Sequence, residues 1–131
     1  MARSSVVGIV KTLRTADGAD LSVAAKQYTF VKIAANQRVN TCSTGQRAIG
    51  VMMQLGVGSP QSVAVRIGGT ALLKVDGTTP ITAGDPLKSD SSGRGVKSSS
   101  TDISNAIAFE GADAADVVIE VLILAGGSPL A

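Results

Sequence analysis

The chain has 131 residues, a length typical of one domain, and a formal net charge of +2. It contains no histidine, which excludes the most common general base and most zinc sites. Its only aromatic residues are Tyr28, Phe30 and Phe109, so we expect a core of Val, Ile, Leu, Ala and Met. The twelve Lys and Arg residues are scattered, and with so few rings for base stacking this argues against nucleic-acid binding.

We divide the chain into an N-terminal arm and turn (residues 1–20), a β domain (21–125) and a C-terminal tail (126–131). Residues 5–13 alternate weakly between apolar and polar types, which predicts a strand or an arm that becomes ordered on a neighbour. The pair Asp17-Gly18 predicts a tight turn, because it supplies the positive φ that such turns need. The tail AGGSPLA is expected to fray or to pack on a neighbour.

The first clear strand of the β domain covers residues 27–34, where two alternating sets of side chains are expected on opposite faces. One face carries Tyr28, Phe30 and Lys32, and the other carries Thr29, Val31 and Ile33. A short strand at residues 38–42 and a turn at Ser43-Thr44-Gly45 follow.

Residues 47–75 are predicted to be the central unit, with the order strand, turn, strand, bend, strand. Gly68-Gly69 permits a β-bulge or a sharp bend before the last of these strands. Two sets of side chains are each expected to share a face: Ile49 with Val51 and Met53, and Val63 with Val65 and Ile67.

The C-terminal half begins with a turn at Ala83-Gly84-Asp85-Pro86 and a short strand from Leu87. Residues 89–100 are small and polar, so we expect a loop exposed to water. Residues 106–109 form a strand, 113–116 a turn, and 117–124 the most apolar strand. Because only Glu120 interrupts that last strand, we expect both of its faces to be covered, one by the core and one by another subunit.

The chain contains an internal repeat, because residues 105–124 repeat the pattern of the central unit over a shorter length. The aligned pairs are Ile49-Gly50-Val51 with Ile107-Ala108-Phe109, Val63-Ala64-Val65 with Val117-Val118-Ile119, and residues 39–45 with residues 87–93. Eight to ten short strands without an amphipathic helix predict an all-β fold, a compact antiparallel barrel or sandwich with extended terminal arms. An internal duplication of a β-hairpin unit is part of this prediction.

The sequence has few side chains that could act in catalysis or bind a metal. Cys42 is the only cysteine, so an intrachain disulfide is excluded, and with no basic residue closer than Arg38 a half-buried, unreactive thiol is expected. Most of the ten carboxylates lie beside Gly, Ala, Ser or Pro, where Asp stabilises turns. We therefore predict no enzyme, no cofactor and no metal site.

The sequence also shows no pattern typical of a membrane span or an export signal. No stretch approaches the roughly 20 apolar residues that span a bilayer, and the N-terminal segment lacks an adequate h-region and cleavage site. We expect no membrane partner and a protein that is made inside a cell and is used there or leaves it by lysis.

Four segments carry a resemblance to a known family, and its most specific part is AGDPLKSDSSGRGV (residues 83–96). The segments are AIGV (residues 48–51), SVAVRIGGTALLKVDG (62–77), ITAGDPLKSDSSGRGV (81–96) and VVIEVLIL (117–124). In order and spacing the chain resembles the capsid cement or decoration proteins of tailed bacteriophages, a group first catalogued as a domain of unknown function in phage head operons.

The resemblance implies a structural virion protein that binds the outer surface of the phage head. It would cement neighbouring major capsid proteins and stabilise the expanded capsid. The implied partners are the major capsid protein and other copies of the chain. We prefer a homotrimer, with a dimer as the alternative, because many decoration proteins of other families are trimers. The implied location is the capsid exterior, after assembly in the host cytoplasm, and the family carries no catalytic residues to transfer.

Two groups of residues are candidates for these contacts. The candidate capsid-binding arm contains Ser5, Val6, Val7, Ile9, Val10 and Leu13, and the candidate subunit seam contains Val117, Ile119, Val121 and Ile123. An arm of this kind would add a strand to a partner through backbone hydrogen bonds. The competing hypothesis is a small β-barrel that binds a ligand in a pocket near residues 84–88.

Overall fold

A computed structural model describes residues 8–15, 26–36, 38–57, 62–99 and 103–129 of the chain. Over these residues the protein is all-β, which confirms the predicted fold class, and no helix is long and apolar enough to cross a membrane. The nine strands of the described residues are β1 (Gly8–Thr15), β2 (Phe30–Ala35), β3 (Arg38–Thr41), β4 (Gly50–Val57), β5 (Ser62–Asp76), β6 (Pro86–Ser89), β7 (Gly95–Lys97), β8 (Ile103–Ala108) and β9 (Ala115–Pro129).

The strands form two rings of hydrogen-bonded neighbours that share β5. In the first ring the order is β1-β3-β2-β4-β5, and pairing of β1 with β5 closes the ring. In the second ring the order is β5-β7-β6-β8-β9, and pairing of β5 with β9 closes it. Closure leaves few unpaired sheet edges among the described strands, which removes sites where unrelated strands would add.

The same pairing scheme is used in both rings. In each ring the first strand pairs in parallel with the third, β1 with β3 and β5 with β7, and the other pairings are antiparallel. The predicted echo of the β4–β5 hairpin in β8–β9 therefore agrees with the topology. The alignment of residues 39–45 with 87–93 is wrong, because β3 occupies the place of β7 rather than β6. Both β3 and β6 are short strands followed by a Ser- and Gly-containing turn, and such segments look alike in sequence.

The long strand β5 passes from one ring to the other at Gly68-Gly69. Its residues up to Gly69 pair with β1, and its residues from Thr70 pair with β9. Gly69 has φ +79°, a conformation that glycine adopts without steric cost. The register with β1 also shifts between Ile9 and Val10, which agrees with the predicted bulge. The expectation of short strands is wrong here, since β5 and β9 each run for 15 residues.

Two hydrophobic cores follow from this arrangement. The first ring encloses a small core to which each of its strands contributes: Leu13, Val31, Val39, Met52, Val63 and Val65. The larger core fills the second ring and extends to the outer side of the first: Phe30, Cys42, Ala48, Val51, Ala71, Leu73, Val75, Ile81, Leu87, Ala106, Ala108, Ile119, Val121 and Ile123. The two rings are therefore held together by apolar packing as well as by β5.

Two expectations about side chains fail in the structure. Ile49 does not share a face with Val51, because β4 begins at Gly50 and Ile49 packs instead against the core of the first ring. Residues 89–100 are not simply an exposed loop, since they include β7, and Ser89 and Ser98 are buried. Small polar side chains fit the tight turn between β6 and β7, so polarity alone was a poor guide to exposure.

Candidate interaction surface

Strand β1 has one edge that is open over most of its length. Residues 8–13 pair with β5, whereas the pairing of β1 with β3 is limited to Arg14 and Thr15. Over residues 8–13, the described part of the chain therefore leaves the second edge of β1 unpaired. A row of unpaired backbone groups of this kind can accept a strand from another chain.

The candidate arm residues fall into three groups. Leu13 is buried in the core of the first ring, where it fixes the end of β1. Ile9 and Val10 are exposed, at 64% and 49% of their surface. Ser5, Val6 and Val7 lie outside the described residues. The structure thus places an anchored strand end beside two large apolar side chains that face solvent.

An apolar groove lies at one end of the first ring, where Ile49 and Ile67 are only partly buried against its core. We name it the isoleucine groove, with a volume of about 300 Å³ and a lining of Lys11, Leu13, Ile33, Ile49 and Ile67. Ile33 is 52% exposed. A second hollow of about 470 Å³ shares Ile33 and Ile49 and adds residues such as Lys32, Arg47 and Ile103. Together they form one continuous apolar surface with basic side chains at its rim.

Charge is divided unequally between the rings. The described residues up to Gly69 carry seven basic side chains and no carboxylate: Lys11, Arg14, Lys26, Lys32, Arg38, Arg47 and Arg66. The described residues from Thr70 carry four basic side chains, Lys74, Lys88, Arg94 and Lys97, against seven acidic ones, Asp76, Asp85, Asp90, Glu110, Asp113, Asp116 and Glu120. The first ring is therefore strongly positive and the second moderately negative, a division that the net charge of +2 conceals.

Among the described residues of the second ring, one large apolar side chain faces solvent. Phe109, directly after β8, is 49% exposed. Its backbone is fixed, because its N–H donates to the Glu120 carbonyl at 2.9 Å, and the Glu110 carboxylate accepts the Glu120 N–H at 2.8 Å. The turn that follows also holds Asp113, which is exposed. We name residues 109–113 the Phe109 turn.

An ion cluster around Arg94 connects the turn between β6 and β7 to β5 and β9. Its guanidinium donates to Asp90 at 2.9 Å, to Asp116 at 3.2 Å and to Asp76 at 3.5 Å. Burial lowers the pKa of Arg94, but the three carboxylates outweigh burial and the net shift is upward. Hydrogen bonds from Thr78, with a smaller contribution from Arg94, hold the pKa of Asp76 below its usual value. Sequence reasoning missed this cluster, because Asp76 and Asp116 lie 18 and 22 residues from Arg94 in the chain.

The candidate seam residues on β9 face the interior of the chain itself. Ile119, Val121 and Ile123 are buried in the larger core, and Val117 packs against it while partly exposed. The alternate residues of the strand, such as Leu122 and Leu124, are half-buried. A contact of β9 with a second subunit stays a prediction, and it would use this half-buried face.

The structure gives no reactive role to Cys42 and no open pocket at Leu87. Cys42 is 1% exposed, and burial raises the pKa of its thiol to about 12, although the charge of Lys32 acts in the opposite direction. A thiol with that pKa is protonated at neutral pH and is a poor nucleophile. Near the proposed ligand pocket, Leu87 is fully buried and the Gly84 N–H donates to the Ala108 carbonyl. Among the described residues, no group of three metal-ligating side chains lies together.

The described residues form an all-β protein with two rings of strands and partly exposed apolar surfaces. A family model described as phage cement protein matches residues 22–123. This match covers more than half of the chain, so the protein belongs to the phage cement protein family, a structural component associated with the phage capsid. The match begins after β1, so the candidate arm lies outside it. No curated protein sequence matches the chain significantly.

Proposed function

We propose that this protein binds the outer surface of the phage head and cements neighbouring major capsid proteins, which stabilises the expanded capsid. Membership of the cement family supports a role on the capsid. The single observation that supports the mode of binding is the second edge of β1 over residues 8–13, with which no strand of the described residues pairs, beside the exposed Ile9 and Val10.

Strand addition suits this edge for a physical reason. An added strand pairs its N–H and C=O groups with the free groups of β1, and alternate side chains fill apolar contacts on either side. Leu13 is buried in the chain's own core, so the edge is held in place before a partner arrives. A preformed edge loses less conformational entropy on binding than a disordered arm would lose.

Multiple contacts explain how a small protein holds a shell together. Linked binding sites raise the effective affinity by about 10²–10⁴ when the geometry allows simultaneous engagement. A ligand that binds only the expanded lattice stabilises that lattice by linkage. In this proposal the partners are the major capsid protein and further copies of the chain, a trimer in preference to a dimer. The protein resides on the capsid exterior after synthesis in the host cytoplasm.

The test is co-sedimentation of the purified protein with empty heads of the phage that encodes it. Expanded heads are expected to carry the protein in stoichiometric amount and to resist heat better, while unexpanded heads bind less. The double variant Ile9→Asn with Val10→Asn is expected to bind weakly, and Thr79→Asn, at an exposed position of the second ring, is the matched control. Full-strength binding by the double variant would overturn the role of the β1 edge, and no binding by the unaltered protein would overturn the function.

A further inference from the structure

The isoleucine groove and the Phe109 turn are complementary surfaces on one chain. The groove is apolar, has basic residues at its rim and lies on the first ring, whereas Phe109 is apolar, has acidic neighbours and lies on the second ring. We infer that Phe109 of one copy docks in the isoleucine groove of a second copy. This inference deepens the proposed function, because it assigns the surfaces by which copies of the cement protein associate.

Each surface keeps a large apolar side chain partly exposed. Phe109 remains 49% exposed, and Ile33 at the groove remains 52% exposed. The groove has a volume of about 300 Å³, at the lower end of the range of about 300–1,000 Å³ for clefts that take up a small ligand. An aromatic side chain buries roughly 150–250 Å² when it is enclosed, and such anchors dominate the energetics of protein interfaces.

Charge selects a second copy as the occupant. Lys11 lines the groove, and Lys32 and Arg47 line the adjoining hollow. No carboxylate from the described part of the chain forms an ion pair with these three basic groups. Around Phe109 the charges have the opposite sign, with Glu110 beside it and the exposed Asp113 four residues on. Opposite potentials steer two surfaces together and fix their orientation.

The contact has a defined symmetry. Because the groove and Phe109 lie on different rings, each copy uses one surface as acceptor and the other as donor, which is a head-to-tail contact. Head-to-tail contacts generate a closed ring of three or more subunits when the rotation closes, and a filament when it does not. A closed trimer fits the predicted oligomer. One aromatic anchor is small beside a standard interface of about 1,600 Å², so association is expected to depend on concentration and salt.

The experiment measures self-association of the full chain by sedimentation velocity over a range of concentrations. Phe109→Ser and Ile33→Asp change exposed side chains, so both variants are expected to fold, and circular dichroism checks this. Each is expected to weaken self-association by at least about tenfold, as truncation of an interface anchor does. Thr79→Ser, at an exposed position of the second ring outside both surfaces, is the matched control and is expected to associate normally.

Mixing the two variants provides the sharper result. Phe109→Ser retains an intact groove and Ile33→Asp retains an intact Phe109, so the mixture has one working contact and is expected to form heterodimers and nothing larger. Unchanged association of both variants, or a mixture that stays monomeric, would overturn the inference. Raising the salt concentration is expected to weaken association of the unaltered protein. Association that is insensitive to salt would contradict the role of charge complementarity in this contact.

The same variants separate this inference from the proposed function. If Phe109→Ser loses self-association but still sediments with expanded heads at reduced affinity, both stand. If it self-associates normally but no longer binds heads, Phe109 contacts the capsid protein, and the inference fails while the proposed function survives. If the unaltered protein self-associates through Phe109 but binds no heads, the proposed function fails and the inference survives.

Discussion

Gly50 of β4 lies directly against the carbonyl oxygen of Arg66 on β5. A β-carbon at position 50 would be 2.1 Å from that oxygen and 2.9 Å from its carbonyl carbon. The neighbouring residue Val51 pairs with Arg66 in the antiparallel ladder. Only glycine therefore permits the close approach of these two strands, on which closure of the first ring depends.

Replacing this glycine is the first prediction. Gly50→Ala is expected to destabilise the protein by about 2 kcal/mol or more, because a backbone oxygen cannot move aside without disturbing the ladder. Gly68→Ala is the matched control, since a β-carbon there would meet only the Ile9 side chain at 3.7 Å. Its effect is expected to stay within about 1 kcal/mol. Urea denaturation measures both, and equal stability of the two variants would contradict the close approach.

The second prediction concerns the larger core. Leu73 on β5 is fully buried, whereas Leu72 beside it is half-buried on the other face. Leu73→Ala is expected to lower the free energy of unfolding by about 2–5 kcal/mol through lost burial and the cavity that remains. Leu72→Ala is expected to cost clearly less. If thermal unfolding ranks the two variants in the reverse order, the assigned inward face of β5 is wrong.

The third prediction concerns alkaline pH. The pKa of the Cys42 thiol rises from 9.0 to about 12 on folding, so the unfolded chain loses this proton first as the pH rises. Stability from the buried neutral thiol is therefore fully present below pH 9.0 and declines towards pH 12. The loss is expected to reach about 1 kcal/mol at pH 10 and up to about 4 kcal/mol at pH 12.

Comparison with Cys42→Ala isolates this effect, because the variant lacks the thiol and is otherwise the same chain. The free energy of unfolding of the unaltered protein should fall more steeply between pH 9 and 11 than that of the variant. Parallel pH profiles would show that the thiol is not buried as described. Slow reaction of the native thiol with an aromatic disulfide reagent at pH 8 provides an independent check.

The fourth prediction concerns the turn between β6 and β7. Asp90 accepts the N–H groups of Ser92 and Arg94 at 2.8 and 2.9 Å as well as the Arg94 side chain. Asp90→Ala is expected to cost about 1–3 kcal/mol, because these donors lose their acceptor. Asp116 has φ +60°, a conformation that Asn tolerates, so Asp116→Asn removes its charge without backbone strain. The Asp116 carboxylate is 66% exposed, and an ion pair this open contributes at most about 1 kcal/mol. A larger loss for Asp116→Asn than for Asp90→Ala would contradict this account of the cluster.

Local patterns in the sequence predicted most of the strands. Alternation placed Phe30 and Val31 on opposite faces, and in the structure they belong to the two different cores. The β9 strand and the repeat of the β4–β5 hairpin in β8–β9 were also predictable, because both depend on residues that are close in the chain. The family resemblance added the capsid association, which no single residue carries.

Long-range relationships were not predictable in this way. Closure of the rings depends on pairing Leu13 with Val63 and Ala71 with Val121, and each pair is about 50 residues apart. Local sequence patterns do not predict which distant strands pair. Ser89 is polar yet fully buried, because its backbone lies in the ladder with Gly95. The isoleucine groove combines side chains from β1, β2 and β5 with Ile49, so it exists only once the first ring has formed.

A three-dimensional map of expanded heads decorated with this protein, obtained by electron cryomicroscopy, tests the central claim most directly. The account predicts the chain on the outer surface, in contact with at least two major capsid proteins, with a capsid strand beside residues 8–13 of β1. Density for the chain that touches a single capsid protein, or heads that carry no such density at saturating protein, would contradict it.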